Sequence, residues 1–445
     1  MKGNKTIDGF SRLSKMGKIK WIAENFFKDP DAVIYELSTY WHQNVDQQKV
    51  IDGFSENTIS NFYLPYGIAP NFLIDGQSYA VPMVIEESSV VAAASSAAKF
   101  WMDRGGFQTK IIDVEKVGHI SFTWNGSYDE LTQYSAELDI KMKANAKSIT
   151  ANMETRGGGI TRIEYLDLGK HLDHMFQIRV YFNTCDSMGA NFINSVLESF
   201  SESLEEFFLT KENISEDQRD VDVILSILSN YTPNCVVKAW VSCDIKDLGV
   251  AADGSSGCDF AERFCTAVKI AQVDEYRATT HNKGIYNGID AVVIATGNDF
   301  RAVEAAGHAY AARSGKYKSL STCTIDDGRF HFELEIPLAL GTIGGLTSLH
   351  PMAKRSLEML GNPSVRELMS IVAATGLAQN FSAIRSLVTT GIQKGHMKMH
   401  LQNILNQLKA TEKEEILVRN HFEKTTISYT NVRTFLEKLR KANPL

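Results

Sequence analysis

The sequence predicts an α+β protein in which a small ferredoxin-like domain is inserted into a larger mixed α/β domain. Three observations predict this. The chain has 445 residues, enough for two or three domains. Residues 115–245 carry strand and helix patterns in the order β-α-β-β-α-β, which is typical of the ferredoxin-like unit. After Gly391, three charged amphipathic segments predict a separate C-terminal helical flap.

The elements of the inserted unit follow from residue periodicity. Alternating, β-rich runs predict strands, whereas apolar residues spaced three and four apart predict helices. The Gly-rich run RGGGITR predicts a turn within the unit and lacks the spacing of a Rossmann fingerprint. In chain order we expect a strand at 119–124, a helix at 128–147, strands at 160–168 and 175–183, a helix at 188–208 and a strand at 235–243.

The flanking segments predict the larger domain. Residues 1–50 are expected to be helical, and YAVPMVI is a strand followed by a helix that Ser88 and Ser89 would cap. FHFELEI alternates, with four apolar side chains on one face. The apolar run AVVIATG (291–297) is interpreted as a buried strand. The expected domains are 1–114 and 246–388 for the large domain, 115–245 for the small domain and 389–445 for the flap.

Composition excludes several classes of function. The chain is 44% hydrophobic and 22% charged, with a formal charge of −7. A nucleic-acid or anionic-membrane partner would favour a basic face, so neither is expected. The N-terminus has no apolar signal core. The sequence contains no run of roughly 20 apolar residues, so no membrane span is expected. The six cysteines form no CxxC pair, and reduced thiols in a cytoplasmic protein are expected.

Four side chains are candidates for chemistry: Glu87, Lys283, Asp299 and His396. Lys283 lies among small and polar residues, which suits a lysine directed at a substrate. Taken alone, Glu87 could simply stabilise a helix N-terminus, and Asp299 could be a turn or N-cap residue. His396 and His400 are one helical turn apart, but no third ligand has matching spacing, so no metal site is expected.

Six ordered blocks of sequence resemble class II 3-hydroxy-3-methylglutaryl-CoA (HMG-CoA) reductases over nearly the whole chain. Any one block would be only suggestive, whereas six in the same order are specific. They are ENTIS with LPYGIA and NFLIDG (56–76), VPMVIEESSVVAAAS (81–95), DSMGAN (186–191), RATTHNKGIYNGIDAVVIATGNDFRA (277–302), GTIGGLT (341–347) and LAQNFSAIRSLVTTGIQKGHM (377–397).

This resemblance implies a metal-independent reduction of HMG-CoA to mevalonate and CoA with two NAD(P)H, or the reverse reaction, in isoprenoid metabolism. Lys283 would stabilise the oxyanion. Glu87, held protonated by burial, would donate a proton, and Asp299 would bond both. His396 would protonate the departing CoA thiolate. The implied substrate contacts are Ser89, Arg277, Asn287, Asn380 and Arg12, and the implied cofactor contacts are Asp186, Met188, Gly189, Asn191, Thr150 and Ser148.

The cofactor and the assembly are less directly implied. NAD-specific members carry an aspartate where Thr150, or with a small gap Ser148, lies here. Without an acid, and with Lys147 and Arg156 nearby, NADPH is favoured over NADH. A homodimer, or an oligomer built from dimers, is implied. Two departures from the family pattern are Ser88 in place of a proline and Ser60 in place of a glycine in the dimer element.

Two alternatives remain. One is a catalytically inactive homologue that binds acyl-CoA, and the retention of all four catalytic positions counts against it. The other is an oxidoreductase for a related acyl-CoA thioester. The retained acyl-group contacts favour HMG-CoA itself.

Overall fold

A computed structural model describes residues 5–389, 401–402, 404–422, 425 and 427–442. The helices and strands are numbered below in chain order. Strand pairing gives one two-stranded sheet and two four-stranded sheets among these residues.

The N-terminal part of the large domain is helical, as expected. The predicted strand at YAVPMVI is the second strand of a hairpin, whose first strand was not predicted. Asn44 and other polar side chains cap the helix starts. The hairpin is antiparallel and leads directly into a buried helix. The elements are α1 (Lys15–Phe26), α2 (Pro30–Thr39), α3 (Val45–Asp52), β1 (Tyr66–Ile74), β2 (Gln77–Val84), α4 (Val90–Met102) and β3 (Gln108–Ile111).

The small domain has the β-α-β-β-α-β order, with one helical segment divided in two. Its sheet is antiparallel, in the order β5-β6-β4-β7, and one face of α7 packs on it in a separate apolar core. The elements are β4 (Lys116–Trp124), α5 (Tyr128–Asn145), α6 (Lys147–Thr155), β5 (Gly159–Asp167), β6 (Met175–Asn183), α7 (Ala190–Thr210) and β7 (Val221–Leu228).

The chain then completes the large domain. Its four-stranded sheet has the order β3-β8-β10-β9, and long helices cover it. The four inward side chains of FHFELEI are fully buried, as predicted. The elements are β8 (Val236–Asp244), α8 (Gly257–Val273), α9 (Glu275–Ala295), α10 (Phe300–Ala311), β9 (Ser321–Asp326), β10 (Arg329–Pro337), α11 (Leu346–Leu349), α12 (Pro351–Met359) and α13 (Val365–Val388).

The last strand predicted for the small domain belongs to the large one. The strand at 235–243 corresponds to β8, which pairs with β3 and β10. The fourth strand of the small sheet is β7, which the sequence did not reveal. It is an edge strand with exposed apolar residues such as Ile224, so its pattern lacks the alternation of a half-buried strand. The sheet of the small domain therefore ends near 228 rather than 245.

The predicted buried strand at 291–297 is wrong, because residues 291–295 form the end of helix α9 and the last two residues lie in the turn after it. A short apolar run cannot distinguish a buried strand from a buried helical turn. Asp274 caps the start of α9, and Gly297 follows its end with φ 73°. The left-handed conformation at Gly297 is typical of a helix C-terminus.

Helix α9 packs very closely on α13, and two glycines make this possible. A Cβ added at Gly288 would lie 2.8 Å from Gln379 Cβ and from the Thr375 carbonyl oxygen. Conversely, a Cβ at Gly376 would lie 2.7 Å from the Ile289 side chain. Real Cβ atoms do not approach so closely, so any side chain at either position would separate the helices.

Cysteine use differs from the expectation of reduced thiols. Cys265 of α8 and Cys323 of β9 form a disulfide, with Cα atoms 5.1 Å apart. These two elements pack together, which brings the cysteines within bonding range. The other four cysteines are free.

The C-terminal segment forms a third apolar cluster. Helices α14 (Glu412–His421) and α15 (Tyr429–Ala442) bury residues such as Val418 and Leu436 against each other. Across the described ranges, no helix is long and apolar enough to cross a bilayer.

Candidate functional site

A cleft of about 1150 Å³ lies between the start of α7 in the small domain and helices α9 and α10 of the large domain. It brings together segments that are more than a hundred residues apart in sequence. Its lining includes Glu87, Lys283, Asn287, Asp290, Asp299, Glu304, the turn at 187–192 and parts of the loop at 341–347.

An ion pair forms the centre of this cleft. Lys283 Nζ donates to Glu87 Oε2 at 2.6 Å, and Asn287 Nδ2 donates to the same oxygen at 3.3 Å. Lys283 and Asn287 are one turn apart on α9, so they project on the same side of the helix. Glu87 reaches them from the junction between β2 and α4.

Two expectations about this junction are corrected. Glu87 is not buried within the single chain, because 40% of its side chain is exposed. Helix α4 does begin after Ser89, but the Ser89 side chain makes no capping hydrogen bond. Its backbone has φ 75°, a conformation that serine rarely adopts and that is enriched at functional sites. The turn therefore leaves the start of α4 without a side-chain cap, while Glu87, two residues before Ser89, reaches Lys283.

Asp299 lies in the cleft but does not bond Lys283 or Glu87, contrary to expectation. Its carboxylate caps α10 through the Arg301 and Ala302 amides and pairs with Arg301 Nε at 3.1 Å. Partial burial acts to raise the pKa of Asp299, but the hydrogen bonds and charge of Arg301 outweigh it, and the net pKa is lowered. Asp299 is thus ionised and engaged within its own helix.

The start of α7 fits an anionic group. Gly189 precedes the helix with φ 90°, and no side chain caps the first amides. A Cβ at Gly189 would lie 2.4 Å from Thr184, so the chain can turn into the helix only with glycine here. Free amides at a helix N-terminus favour a phosphate. Met188, Gly189 and Asn191 line the cleft beside this helix start.

Three predicted cofactor residues do not line the cleft. Asp186 accepts a hydrogen bond from the Val365 amide at 2.9 Å, which anchors the turn to α13. Thr150 is buried and donates to Glu154 at 2.7 Å, whereas Ser148 is exposed on the same short helix. Glu154 also pairs with Lys147. An acid therefore lies one turn after Thr150, although its charge is compensated.

Several predicted substrate contacts also lie away from the cleft. Asn380 is 1% exposed and accepts a hydrogen bond from Ser321 at 2.8 Å. Ser321 in turn contacts His281 Nε2 at 2.7 Å. Burial, with the charge of Arg277, lowers the pKa of His281 to about 3, so this histidine is neutral. The Arg277 guanidinium makes no ion pair with any carboxylate among the described residues.

Arg12 is not among the residues that line the cleft. Arg12 is exposed in a short 3-10 turn, Phe10–Arg12. His396 and His400 lie outside the described residues. No cluster of three or more potential metal-ligating side chains occurs within the part of the chain that is described.

The sequence patterns did not reveal a pair of carboxyl groups that interact in the cleft. Asp290 and Glu304 both line the cleft and interact, and Asp290 Oδ1 is buried without a conventional hydrogen-bond donor. Burial, followed by the Glu304 charge, raises the pKa of Asp290 to about 8. Asp290 is seven residues after Lys283, two helical turns along the same face. Predicting a helix here instead of a strand would have revealed it.

Comparison with known proteins gives consistent matches. A family-wide sequence profile described as hydroxymethylglutaryl-coenzyme A reductase matches residues 20–401. A 3-hydroxy-3-methylglutaryl-coenzyme A reductase of Archaeoglobus fulgidus is 38% identical, covering 98% of this chain and 94% of that protein. A probable reductase of the same name from Borreliella burgdorferi is 32% identical, covering 98% of each.

A solved structure is similar in both fold and sequence. It is the class II 3-hydroxy-3-methylglutaryl-CoA reductase from Streptococcus pneumoniae bound to NADPH in open conformations. The TM-score is 0.70 at 33% identity, and the match covers 86% of this chain and all of that one.

The raised pKa of Asp290 predicts how stability depends on pH. The folded protein keeps the Asp290 proton up to about pH 8, whereas the unfolded chain loses it near pH 3.8. Unfolding therefore releases a proton between these values, so Asp290 makes the protein less stable as pH rises through this range. In Asp290→Asn this contribution is absent. Its stability relative to wild type should improve by more than about 1 kcal/mol between pH 5 and pH 8.5.

Urea unfolding at several pH values measures this difference. Asp173→Asn is the matched control, because Asp173 is exposed. It should follow the wild-type pH dependence. Parallel curves for wild type and Asp290→Asn would contradict the assignment of a retained proton to Asp290.

Proposed function

The chain belongs to the hydroxymethylglutaryl-coenzyme A reductase family of NAD(P)H-dependent oxidoreductases, and we propose that it interconverts HMG-CoA and mevalonate. One observation carries the proposal. The Lys283–Glu87 pair faces the same cleft as the uncapped start of α7. A fixed cation, a carboxyl group and an anion-binding helix end are the parts that reduction of an acyl-CoA by a dinucleotide requires.

Lys283 is proposed to stabilise the oxyanion that forms when hydride adds to the thioester. A cation held by a carboxylate and by helix α9 needs little reorganisation as charge develops. Its side chain is 59% exposed in the cleft, which leaves room for a substrate oxygen beside Glu87.

Glu87 is proposed to supply a proton during reduction of the aldehyde intermediate. Its carboxylate is ion-paired with Lys283 and partly exposed, so its burial would come from bound substrate rather than from the single chain. Removing water from a carboxylate favours the protonated form. Substrate binding would therefore prepare this group for proton donation.

Asp299 and His396 are proposed to act with this pair. Asp299 would bond Lys283 once its ion pair with Arg301 is broken. Breaking this pair costs little free energy, because both side chains are exposed. His396 would protonate the departing CoA thiolate, since histidine titrates near neutral pH.

The acyl group is proposed to contact Ser89, Arg277, Asn287 and Asn380, with Arg12 as a further substrate contact. Asn287 already faces the cleft. Burial lowers the pKa of Arg277, and a partly desolvated guanidinium gains from a carboxylate, which it binds in bidentate fashion. An acyl carboxylate is such a group.

NADPH is proposed as the cofactor and would supply hydride to the acyl carbon. Met188, Gly189 and Asn191 would hold its phosphates at the start of α7. The residues near Thr150 would face the adenosine ribose. Lys147 compensates Glu154 there, so this region does not present a free negative charge to a 2′-phosphate.

A homodimer is proposed as the active form. Phe62 and Tyr63 lie just after the ENTIS segment, separated from it by Asn61, and 91% and 56% of their surfaces are exposed. Adjacent exposed aromatic residues mark association surfaces. Leu64, the next residue, lines the cleft, so an interface formed here would adjoin the site.

Turnover tests the main proposal. NADPH oxidation in the presence of HMG-CoA should be measurable for wild type, and Lys283→Ala should lower kcat at least about 100-fold because the oxyanion loses its cation. Lys269→Ala, which removes an exposed lysine of α8, should retain wild-type turnover. No turnover by wild type would favour an inactive acyl-CoA-binding homologue, and full activity of Lys283→Ala would refute the role of Lys283.

Substituting Lys147 and substituting Glu154 should change the cofactor preference in opposite directions. Wild type should have a higher kcat/KM with NADPH than with NADH. Lys147→Ala exposes the Glu154 charge and should lower the NADPH/NADH ratio about fivefold, because a free carboxylate repels a 2′-phosphate. Glu154→Gln should raise the ratio. Steady-state kinetics with both cofactors decide this, and a wild-type preference for NADH would overturn the choice of NADPH.

The oligomeric state should be coupled to activity. Size-exclusion chromatography with light scattering should give twice the 49.5 kDa of one chain, or a multiple of that. Phe62→Asp should shift the protein towards monomer and reduce turnover, because a charge at an apolar contact opposes association. A fully active monomer would be inconsistent with a homodimer as the active form.

A further inference from the structure

Lys116 is a buried lysine at the first position of β4, where the small domain begins. It is 5% exposed. Its ammonium group donates to Thr184 Oγ1 at 2.6 Å, to the Ser187 carbonyl at 2.7 Å and to the Leu340 carbonyl at 3.4 Å. All three donors of the lysine are therefore directed at neutral oxygens.

No carboxylate forms an ion pair with Lys116 among the described residues. Burial lowers the pKa of Lys116 more strongly than the nearby Cys235, Cys185 and Asp186 raise it. Placing a cation in the interior without an ionic partner is unfavourable. An apolar side chain would fill the same space without this cost, so stability alone does not account for a lysine at this position.

The oxygens that Lys116 binds belong to two different domains. Thr184 and Ser187 lie in the turn before α7, and Leu340 lies in the large domain before Gly341. The two segments touch closely, since a Cβ at Gly341 would lie 2.5 Å from the Met188 amide nitrogen. The Thr342 amide also donates to the Asp186 carbonyl at 2.8 Å.

The contact continues to the residues that precede α10 at the cleft. The Gly341 amide donates to Asn298 Oδ1 at 2.8 Å, and Asn298 directly precedes Asp299. Lys116 thus lies at one end of a hydrogen-bonded path that runs from the start of α7, through the Gly341 segment, to the start of α10.

We propose that Lys116 is a positioning residue that holds the turn at 184–189 against the Gly341 segment, so that the amides at the start of α7 face the dinucleotide. The proposed role of Lys116 rests on the proposed function only because it takes NADPH to be the dinucleotide. The hydrogen bonds of Lys116 to both segments fix the turn that would receive the phosphates. The proposed contacts of HMG-CoA lie on other elements, so HMG-CoA binding should depend on Lys116 much less.

Lys116→Met tests the proposal, because methionine keeps the unbranched apolar chain and removes the ammonium group. The dissociation constant of NADPH, measured by fluorescence titration without HMG-CoA, should rise about tenfold or more. The KM for NADPH should rise similarly, whereas the KM for HMG-CoA should stay within about twofold of wild type. Lys110→Met, at an exposed lysine of β3, is the matched control and should bind NADPH like wild type.

A second pair of variants decides the question if Lys116→Met fails to fold. Thr184→Val removes the hydroxyl that accepts from Lys116, whereas Thr184→Ser retains it. Thr184→Val should bind NADPH more weakly than Thr184→Ser. Where Lys116→Met does fold, Thr184→Val should weaken NADPH binding less in the Lys116→Met protein than in wild type, because the two residues form one unit.

Two results would overturn the proposal. One is unchanged NADPH binding in folded Lys116→Met or in Thr184→Val. The other is an equal rise in both KM values, which would indicate general disorder of the site. If wild type binds NADPH but does not reduce HMG-CoA, the proposed function fails, whereas the binding titrations still test Lys116.

Discussion

The close approach of α9 to α13 is the constraint on which the site depends. Gly288 and Gly376 let the two helix backbones meet, and a side chain at either position would force them apart. The face of α9 that contacts α13 is thereby fixed in the core, and its opposite, polar face is fixed towards the cleft. Lys283 and Asn287 consequently keep one orientation towards Glu87, although their own contacts are exposed and weak.

The electrostatics of the cleft follow from this arrangement. The Lys283–Glu87 and Asp299–Arg301 pairs are partly solvated, so they add little to folding stability and can exchange partners. Asp290 is different, because its position deeper along α9 favours a retained proton. The helix therefore presents a cation and a neutral acid along a single face, with an ionised carboxylate, Asp299, just beyond its end.

Local patterns predicted most elements but not how they pair. The strand β6 and the inward face of β10 followed from alternation alone. Whether β8 belonged to the small or the large sheet depended on partners far away in sequence, which periodicity does not report. The same limit applies to the site. The residue types of Glu87 and Lys283 indicated chemistry, but the engagement of Asp299 by Arg301 and the burial of Asn380 are tertiary facts.

The junction of the two domains sets the position of the α7 start relative to Lys283. A dinucleotide held at the start of α7, as proposed, would have to lie at a fixed distance from Lys283, yet the helix start and Lys283 belong to domains with separate cores. Apolar packing between domains is non-directional and allows sliding. Hydrogen bonds across the Gly341 segment, with Lys116 at one end and Asn298 at the other, are directional and define a single register. A buried polar contact therefore suits this boundary, because the proposed reaction depends more on the relative position of the two domains than on the stability of their contact.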